Sequence, residues 1–282
     1  MDDGAAAFAR KDYETALKLW RPLAEHGDAN GQFNLGLLYD SGKGVAEDKK
    51  EAFKWYLLAA RQGLAIAQTN VGACYDDAEG VAEDDREAVK WYRLAAEQGD
   101  AVGQKDLALM YDYGTGVAED DKEAVKWYRL AAEQGNAGAQ TNLGVMYENG
   151  EGVAQDKKEA VKWYRLAAAQ LHAVAQTNLG VMYERGQGVT KDDKEAVKWY
   201  RLAAEQGDAR GQNDLGAMYE RGQGVSLDLV RAHMWFSLAA AQGEKSSPKS
   251  RDSIASKMTP AQIAHAQKLA TTCKASDYKN CD

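Results

Sequence analysis

The chain has 282 residues, of which 45% are hydrophobic and only three are proline, and its formal net charge is −8. That acidic balance opposes general nucleic-acid binding, which needs a basic surface to neutralise phosphates. No apolar run approaches the roughly 18 residues of a spanning helix.

The seven tryptophans set the organisation. Trp55, Trp91, Trp127, Trp163, Trp199 and Trp235 recur every 36 residues, and Trp20 precedes them by 35. A fixed period of this size means stacked supersecondary units. Each unit packs on its neighbours, so length alone does not count domains.

Residues 1–26 read as an atypical capping hairpin: a short helix over 5–10, then a second over 12–25 with Tyr13, Ala16, Leu17 and Trp20 in helical phase. Met1-Asp2-Asp3-Gly4 lacks the basic and apolar regions of a signal peptide. The protein is therefore expected in the cytoplasm, or in the periplasm or outside the cell if a signal has been removed.

Repeats are expected over 27–243. In the first, helix A spans 29–40 and Gly42-Lys43-Gly44-Val45 makes a turn needing glycine conformations. Helix B spans 48–62, with Asp48 and Glu51 placed as a capping box and Gly63 as the stop. The same pair recurs as Asp84/Glu87, Asp120/Glu123, Asp156/Glu159 and Asp192/Glu195. The last repeat departs from the pattern: Arg231 follows Asp228, and Met234-Trp235-Phe236 replaces Lys-Trp-Tyr. Leu171-His172 stands where other repeats have Gly-Asp or Gly-Asn, which predicts a distorted turn. Residues 244–282 read as a C-terminal helical cap, with a capping box at Thr259-Pro260-Ala261-Gln262.

Cys74 shares a column with Leu38, Met110, Met146, Met182 and Met218 and reads as a small core hydrophobe. Cys273 and Cys281 are either two thiols or a disulfide pinning the tail, which would suit an oxidising compartment. No ligand spacing for a metal surrounds them, and no cofactor is expected.

If Leu35, Gly36 and Tyr39 face the core, residues 30, 33, 34, 37 and 41 lie on or near the other face of helix A. Column 34 reads Asn34, Asn70, Asp106, Asn142, Asn178 and Asp214. Asparagine is a poor helix former, so such a column asks for a reason. Its amides could hold an extended peptide backbone in a groove, or bond backbone in the adjacent repeat. Column 33 (Phe33, Thr69, Lys105, Thr141, Thr177, Asn213) and column 30 (Asn30, Ile66, Val102, Gly138, Val174, Arg210) vary. Phe33, Ile66, Val102 and Arg210 are the expected selectivity residues, with Lys105 beside the amide column; the apolar ones could instead be buried between helices. The acidic column Asp40, Asp76, Asp112, Glu148, Glu184 and Glu220 opposes the helix dipole. It forms either a rim attracting a basic partner or a set of pairs with neighbouring Lys and Arg. Lys54, Lys90, Lys126, Lys162 and Lys198 read as a solvated outer face, and the Trp-Tyr pairs as core. The four histidines are scattered, and no hydrolase, zinc or phosphate-loop motif occurs.

The constellation Ala-x-x-Gln-x-x-Leu-Gly-x-Met-Tyr, Gly-x-Gly-Val and Ala-Val-Lys-Trp-Tyr-Arg-x-Ala-Ala stands here over 137–147, 150–153 and 160–168. It resembles the Sel1-like repeat family, a subclass of tetratricopeptide-like solenoids, over residues 12–243. The tail, with Met258-Thr259-Pro260-Ala261-Gln262 and the two late cysteines, is similar to the end of bacterial, often exported members. The resemblance implies an all-α, right-handed superhelical solenoid with helix A lining its concave side. It also implies a non-enzymatic adaptor for a protein or peptide, expected here as a monomer. The alternative is a cell-envelope hydrolase or binder of peptidoglycan or β-lactam-type ligands, as suggested by cysteine-rich relatives whose paired cysteines this chain lacks. A third reading is a spacer within a larger complex.

Overall fold

The computed structural model describes residues 3–279 and 281; Met1, Asp2, Asn280 and Asp282 lie outside the described residues, and with them the terminal residues of the two expected caps. The described residues form sixteen α-helices and no strand. They fall into two compact units, Met1–Asn136 and Ala137–Asp282.

The first unit holds α1 (Asp3–Ala9), α2 (Tyr13–Glu25) and three A/B hairpins. These are α3 (Ala29–Ser41) with α4 (Lys49–Arg61), α5 (Ala65–Asp76) with α6 (Asp85–Glu97), and α7 (Ala101–Tyr113) with α8 (Asp121–Glu133). The second unit holds α9 (Ala137–Asn149) with α10 (Lys157–Ala169), α11 (Ala173–Arg185) with α12 (Asp193–Ala204), and α13 (Ala209–Arg221) with α14 (Leu229–Ala241). The tail helices α15 (Ser247–Ala255) and α16 (Pro260–Ala275) follow. Within each unit consecutive helices pack on one another.

Every B helix starts at an aspartate. Asp48 Oδ1 accepts from the backbone N–H of Lys50 and of Glu51, both at 3.0 Å, and Asp84, Asp120, Asp156, Asp192 and Asp228 do the same. The other half of the expected box is not made. The N–H of Asp48 donates to the carbonyl of Tyr39 at 2.9 Å, which frees Glu51 to pair with Lys54 on the outer face. The same exchange recurs in the repeats that follow, such as Asp156 with Tyr147 and Glu159 with Lys162. At Thr259 the box is complete.

Two glycine positions fix the spacing of the helices. A Cβ on Gly144 would lie 2.6 Å from the ring of Tyr164, so the glycine lets α10 close onto α9. Gly188 has φ +68°, and a Cβ there would stand 2.1 Å from the carbonyl oxygen of Lys157 in the preceding hairpin. Close approach and a left-handed backbone both exclude a side chain.

The Trp-Tyr pair divides. Tyr128, Tyr164 and Tyr200 are fully buried, whereas Trp55, Trp91, Trp127 and Trp199 are half-buried. Adjacent helix residues point about 100° apart, so both rings cannot face one core. Trp55, Trp127 and Trp199 instead lie under lysines, as Lys126 over Trp127 at 5.0 Å. Trp20 and Trp235 alone reach the level of burial expected of the stripe, apart from Trp163 at 8% exposed. In α14 Met234, Trp235 and Phe236 are all buried, because α15 and α16 cover the helix from outside. Ile254, Met258, Ala266 and Cys273 join that core, and a disulfide joins Cys273 to Cys281. Cys74 is a buried free thiol. Leu171 adopts φ +63° and is 67% exposed, but the turn keeps the backbone bonds of the other repeats, Leu171 N–H to the Ala168 carbonyl and His172 N–H to that of Ala167, so the distortion expected there is confined to a non-glycine residue in the left-handed region. Among the described residues no helix is long and apolar enough to cross a membrane.

Candidate functional site

The repeats contain more recurrent polar columns than the sequence singled out, and most of them are internally bonded. The clearest is Gln32, Gln68, Gln104, Gln140, Gln176 and Gln212, all buried. Gln98 at the end of α6 donates to Gln68 Oε1 at 2.7 Å, and Gln68 donates to the carbonyl of Ala60 in α4 at 3.2 Å. In the second unit Gln206, Gln176 and the Ala168 carbonyl form the same relay, as do Gln242, Gln212 and Ala204. Each relay satisfies buried amides while tying three helices. The signal was present as an unvarying Gln in a helix position flanked by core residues.

Column 33 is also engaged. Thr69 Oγ1 donates to Asp100 at 2.9 Å and Thr177 to Asp208 at 2.8 Å, the two aspartates being N-caps of the next A helices. Thr141 Oγ1 lies 3.0 Å from His172 Nδ1, and Asn213 accepts from Ser247 at 2.9 Å. Phe33 is half-buried, its ring 5.7 Å from that of Tyr56.

The acidic column meets phenols from helix B of its own repeat. Tyr92, Tyr128, Tyr164 and Tyr200 donate to Asp76, Asp112, Glu148 and Glu184 at 3.3, 3.0, 2.7 and 2.7 Å. Cations take part as well: Lys49 pairs with Asp40 at 2.9 Å and Arg221 with Glu184 at 2.8 Å. A further clamp joins successive repeats, Arg93 to Tyr111 at 2.7 Å, Arg165 to Tyr183 at 2.8 Å and Arg201 to Tyr219 at 2.9 Å.

Column 34 behaves differently and splits in two. Asn178 accepts from Arg210 Nη1 at 3.1 Å, Lys105 and Asp106 form an ion pair, and Asp214 accepts from Asn213 at 3.2 Å. Burial raises the carboxyl of Asp214 to about 6, with Glu184 and Asp208 adding to the shift and the Asn213 bond and Arg210 opposing it. Burial also raises Asp106, against the pull of Lys105. By contrast the amides of Asn34, Asn70 and Asn142 are half-buried and have no hydrogen-bond partner among the described residues. Asn34 borders a cavity with Trp20, Leu23, Asp28 and Asn30. Asn70 borders another with Asp40, Tyr56, Cys74 and Glu79. In column 30, Ile66, Val102 and Val174 are 46, 47 and 48% exposed, and Asn30 and Arg210 are exposed too. None of the apolar three is buried between helices.

The histidines serve separate local roles. His26 Nδ1 lies 2.6 Å from the Pro22 carbonyl, His172 caps α11 by position and meets Thr141, His233 is buried beside Ser237, and His265 is exposed. Among the described residues no group of three or more His, Cys, Asp or Glu could hold a metal ion.

Hairpins of one length, in one register, with the same relays recurring within each unit, define an α-helical repeat protein of the solenoid class. The Sel1 repeat model matches residues 3–28, 29–64, 65–100, 101–136, 137–170, 173–208 and 209–244, and the chain belongs to the Sel1 repeat family. The first match takes in the hairpin that the sequence reads as a cap. Two solved structures are similar along most of this chain. One is a protective antigen present in uropathogenic Escherichia coli strains and displaying an SLR fold, 35% identical with a TM-score of 0.89, covering 94% of this chain. The chain spans 58% of that protein's length. The other is a Sel1 repeat protein from Oxalobacter formigenes, 34% identical with a TM-score of 0.79, covering 84% of this chain and 95% of its own. No curated protein matches the chain. Sel1 repeat proteins are generally protein-interaction scaffolds and typically not enzymes.

Proposed function

We propose that this protein is a scaffold that binds an extended peptide segment of a partner protein along the A helices, through the amides of column 34. The observation that carries this reading is the idle state of Asn34, Asn70 and Asn142. The other recurrent polar columns (glutamine, threonine, tyrosine and capping aspartate) are spent inside the fold. An asparagine in mid-helix costs helix propensity, and these three give nothing back within the chain. A side-chain amide offers both donor and acceptor to a peptide unit, which makes it a suitable rung for backbone of any sequence. Selectivity then falls to the exposed column 30, with Ile66, Val102 and Arg210, and to Phe33 and Lys105 beside it. Asp106, Asn178 and Asp214 act as charged or pre-engaged rungs that a ligand must share with Lys105 or Arg210. On this reading the protein acts as a monomer, the repeats of 27–243 carry the rungs, and 1–26 and 244–282 flank them.

The test is to select binding peptides against the wild-type protein from a random display library and then measure their Kd with Asn70→Ala/Asn142→Ala. Losing two side-chain hydrogen bonds of about 1 kcal/mol each weakens binding by roughly tenfold or more. The Tm moves by no more than about 2 °C, since no internal bond is lost. An unchanged Kd, or a Tm that collapses, overturns the reading.

A further inference from the structure

The cavity beside Asn70 is unlike its counterparts. Where a phenol stands at this place in α6, α8, α10 and α12, it donates to the acid of helix A. Tyr56 in α4 is 2% exposed, and its hydroxyl makes no hydrogen bond of ordinary length among the described residues, although Asp40 stands near enough to act on it. It borders a cavity of about 170 Å³ together with Leu37, Asp40, Asn70, Ala73, Cys74 and Glu79.

Two sequence changes produce this. Lys49 opens α4, and its ammonium takes Asp40 at 2.9 Å and Glu79 at 3.2 Å, so the acid beside this phenol is also held in an ion pair. Glu79 comes from an irregular turn, Asp77-Ala78-Glu79-Gly80, in which Ala78 holds φ +57° where the other repeats place glycine. The equivalent residue pairs are Asp85/Thr115, Asp121/Glu151, Lys157/Gln187 and Asp193/Gln223, none of which unites a lysine with an acid. The result is a pocket with a buried idle hydroxyl, an idle amide and two carboxylates sharing one cation.

Its charge is unbalanced. The Cys74 thiol stays protonated, pushed up to about 12 by burial and then by Asp40 and Glu79. Asp77 adds to that field, and Asp76 and Asp106 stand close enough to Asp77 to be raised by it. Of the charges that act most on this thiol, three are carboxylates, Asp40, Glu79 and Asp77, and one is a cation, Lys49. An anion entering here would meet surplus carboxylate, whereas a cation would meet acceptors already in place and a phenol oxygen that needs a partner. The volume suits the head of one side chain, not a larger group.

We propose that this pocket receives the ammonium or guanidinium head of one lysine or arginine of the bound peptide, held by Asp40, Glu79, Asn70 and the hydroxyl of Tyr56. It rests on the groove reading, since the peptide must lie along the A helices for its side chain to enter. The residue is then the anchor that sets register, and the Asn amides are the rungs.

The experiment is an NMR titration of the full chain labelled at asparagine side chains, followed with Asn70→Ala for assignment. The probes are the capped pentapeptide Gly-Gly-Arg-Gly-Gly and its citrulline counterpart, equal in shape and lacking the charge. The arginine peptide moves the Asn70 amide saturably at low salt, and the citrulline peptide leaves it in place. Glu79→Gln weakens the apparent Kd for the arginine peptide by about tenfold, the scale of one charge-assisted bond. Tyr56→Phe weakens it by about threefold. Glu79 is half-exposed and the Tyr56 hydroxyl is unbonded, so both variants fold. Equal shifts from both peptides at Asn70, or no effect of Glu79→Gln, overturn the pocket. Shifts at Asn34 or Asn142 without Asn70 overturn it too while leaving the groove reading standing. Silence at all three amides overturns the pocket, and the groove then stands or falls by the selected peptides.

Discussion

A buried hydroxyl is worth what its partner makes of it. Tyr164 is fully buried and donates to Glu148 at 2.7 Å, whereas Tyr56 is equally enclosed and donates to nothing among the described residues. Removing a hydrogen bond to a carboxylate strands the acceptor, but removing an unsatisfied hydroxyl relieves a desolvated group. Tyr164→Phe is therefore expected to lose about 1–2 kcal/mol and Tyr56→Phe to lose nothing or gain a few tenths, measured by urea unfolding of both beside wild type. Equal losses would mean that the Tyr56 hydroxyl is bonded in solution. The chain contains its own control at Phe236, which fills the same place in α14 beside Gly216 with no hydroxyl at all. At this scale the sequence was only partly legible. Column 34 reads as one set of six, yet Arg210 decides the state of Asn178 from 32 positions away. Periodicity reveals which residues are equivalent in backbone; it does not reveal which neighbour has changed.

Among elements, the helix starts were the most legible feature, because aspartate before a helix has a local reason to be there. What the sequence could not show is that A-helix caps and glycines are coupled. Asp28, Asp100 and Asp208 cap α3, α7 and α13, and their helices carry Gly31, Gly103 and Gly211 at the third position. Where Leu64 and His172 start α5 and α11, no side-chain cap bond forms and the third residue is Ala67 or Ala175. A Cβ at these glycines would first meet the preceding B helix, Leu23 at 2.7 Å from Gly31, Ala95 at 2.8 Å from Gly103 and Ala203 at 2.8 Å from Gly211. At Gly103 and Gly211 it would also crowd the hydroxyls of Thr69 and Thr177, each at 2.9 Å. The tail helices offer a test at this scale. The Cys273–Cys281 disulfide closes a loop of separation 8, for which chain entropy gives about 2.5 kcal/mol. Reduction, or Cys273→Ser/Cys281→Ser, is expected to lower the Tm by several degrees and to speed amide exchange in α16 before α13 or α14. Identical melting and exchange with and without reductant would show that packing of Ile254 and Ala266 alone holds the tail.

Over the whole molecule, the period of the tryptophans was enough to identify the architecture, because repeat folds write their geometry many times. The glutamine relays escaped notice because glutamine is an ordinary helix former, so its column raises no question of propensity as the asparagine column does. Each relay reaches only from one repeat into the helix before it, as Gln212 does to Ala204, eight residues back. Deleting residues 173–208 would therefore set Gln212 opposite Ala168, Tyr219 opposite Arg165 and Gly224 opposite Lys157, with every partner of the same kind as before. Such a shortened chain is expected to fold cooperatively with native helical signal per residue and a lower Tm, read by circular dichroism; an aggregated or non-cooperative product would contradict it. The relay thus makes length a free variable. A gene encoding this chain can gain or lose whole repeats by recombination without leaving a stranded amide at the seam, so the span of surface offered to a partner can change in steps while the chemistry of each step stays fixed.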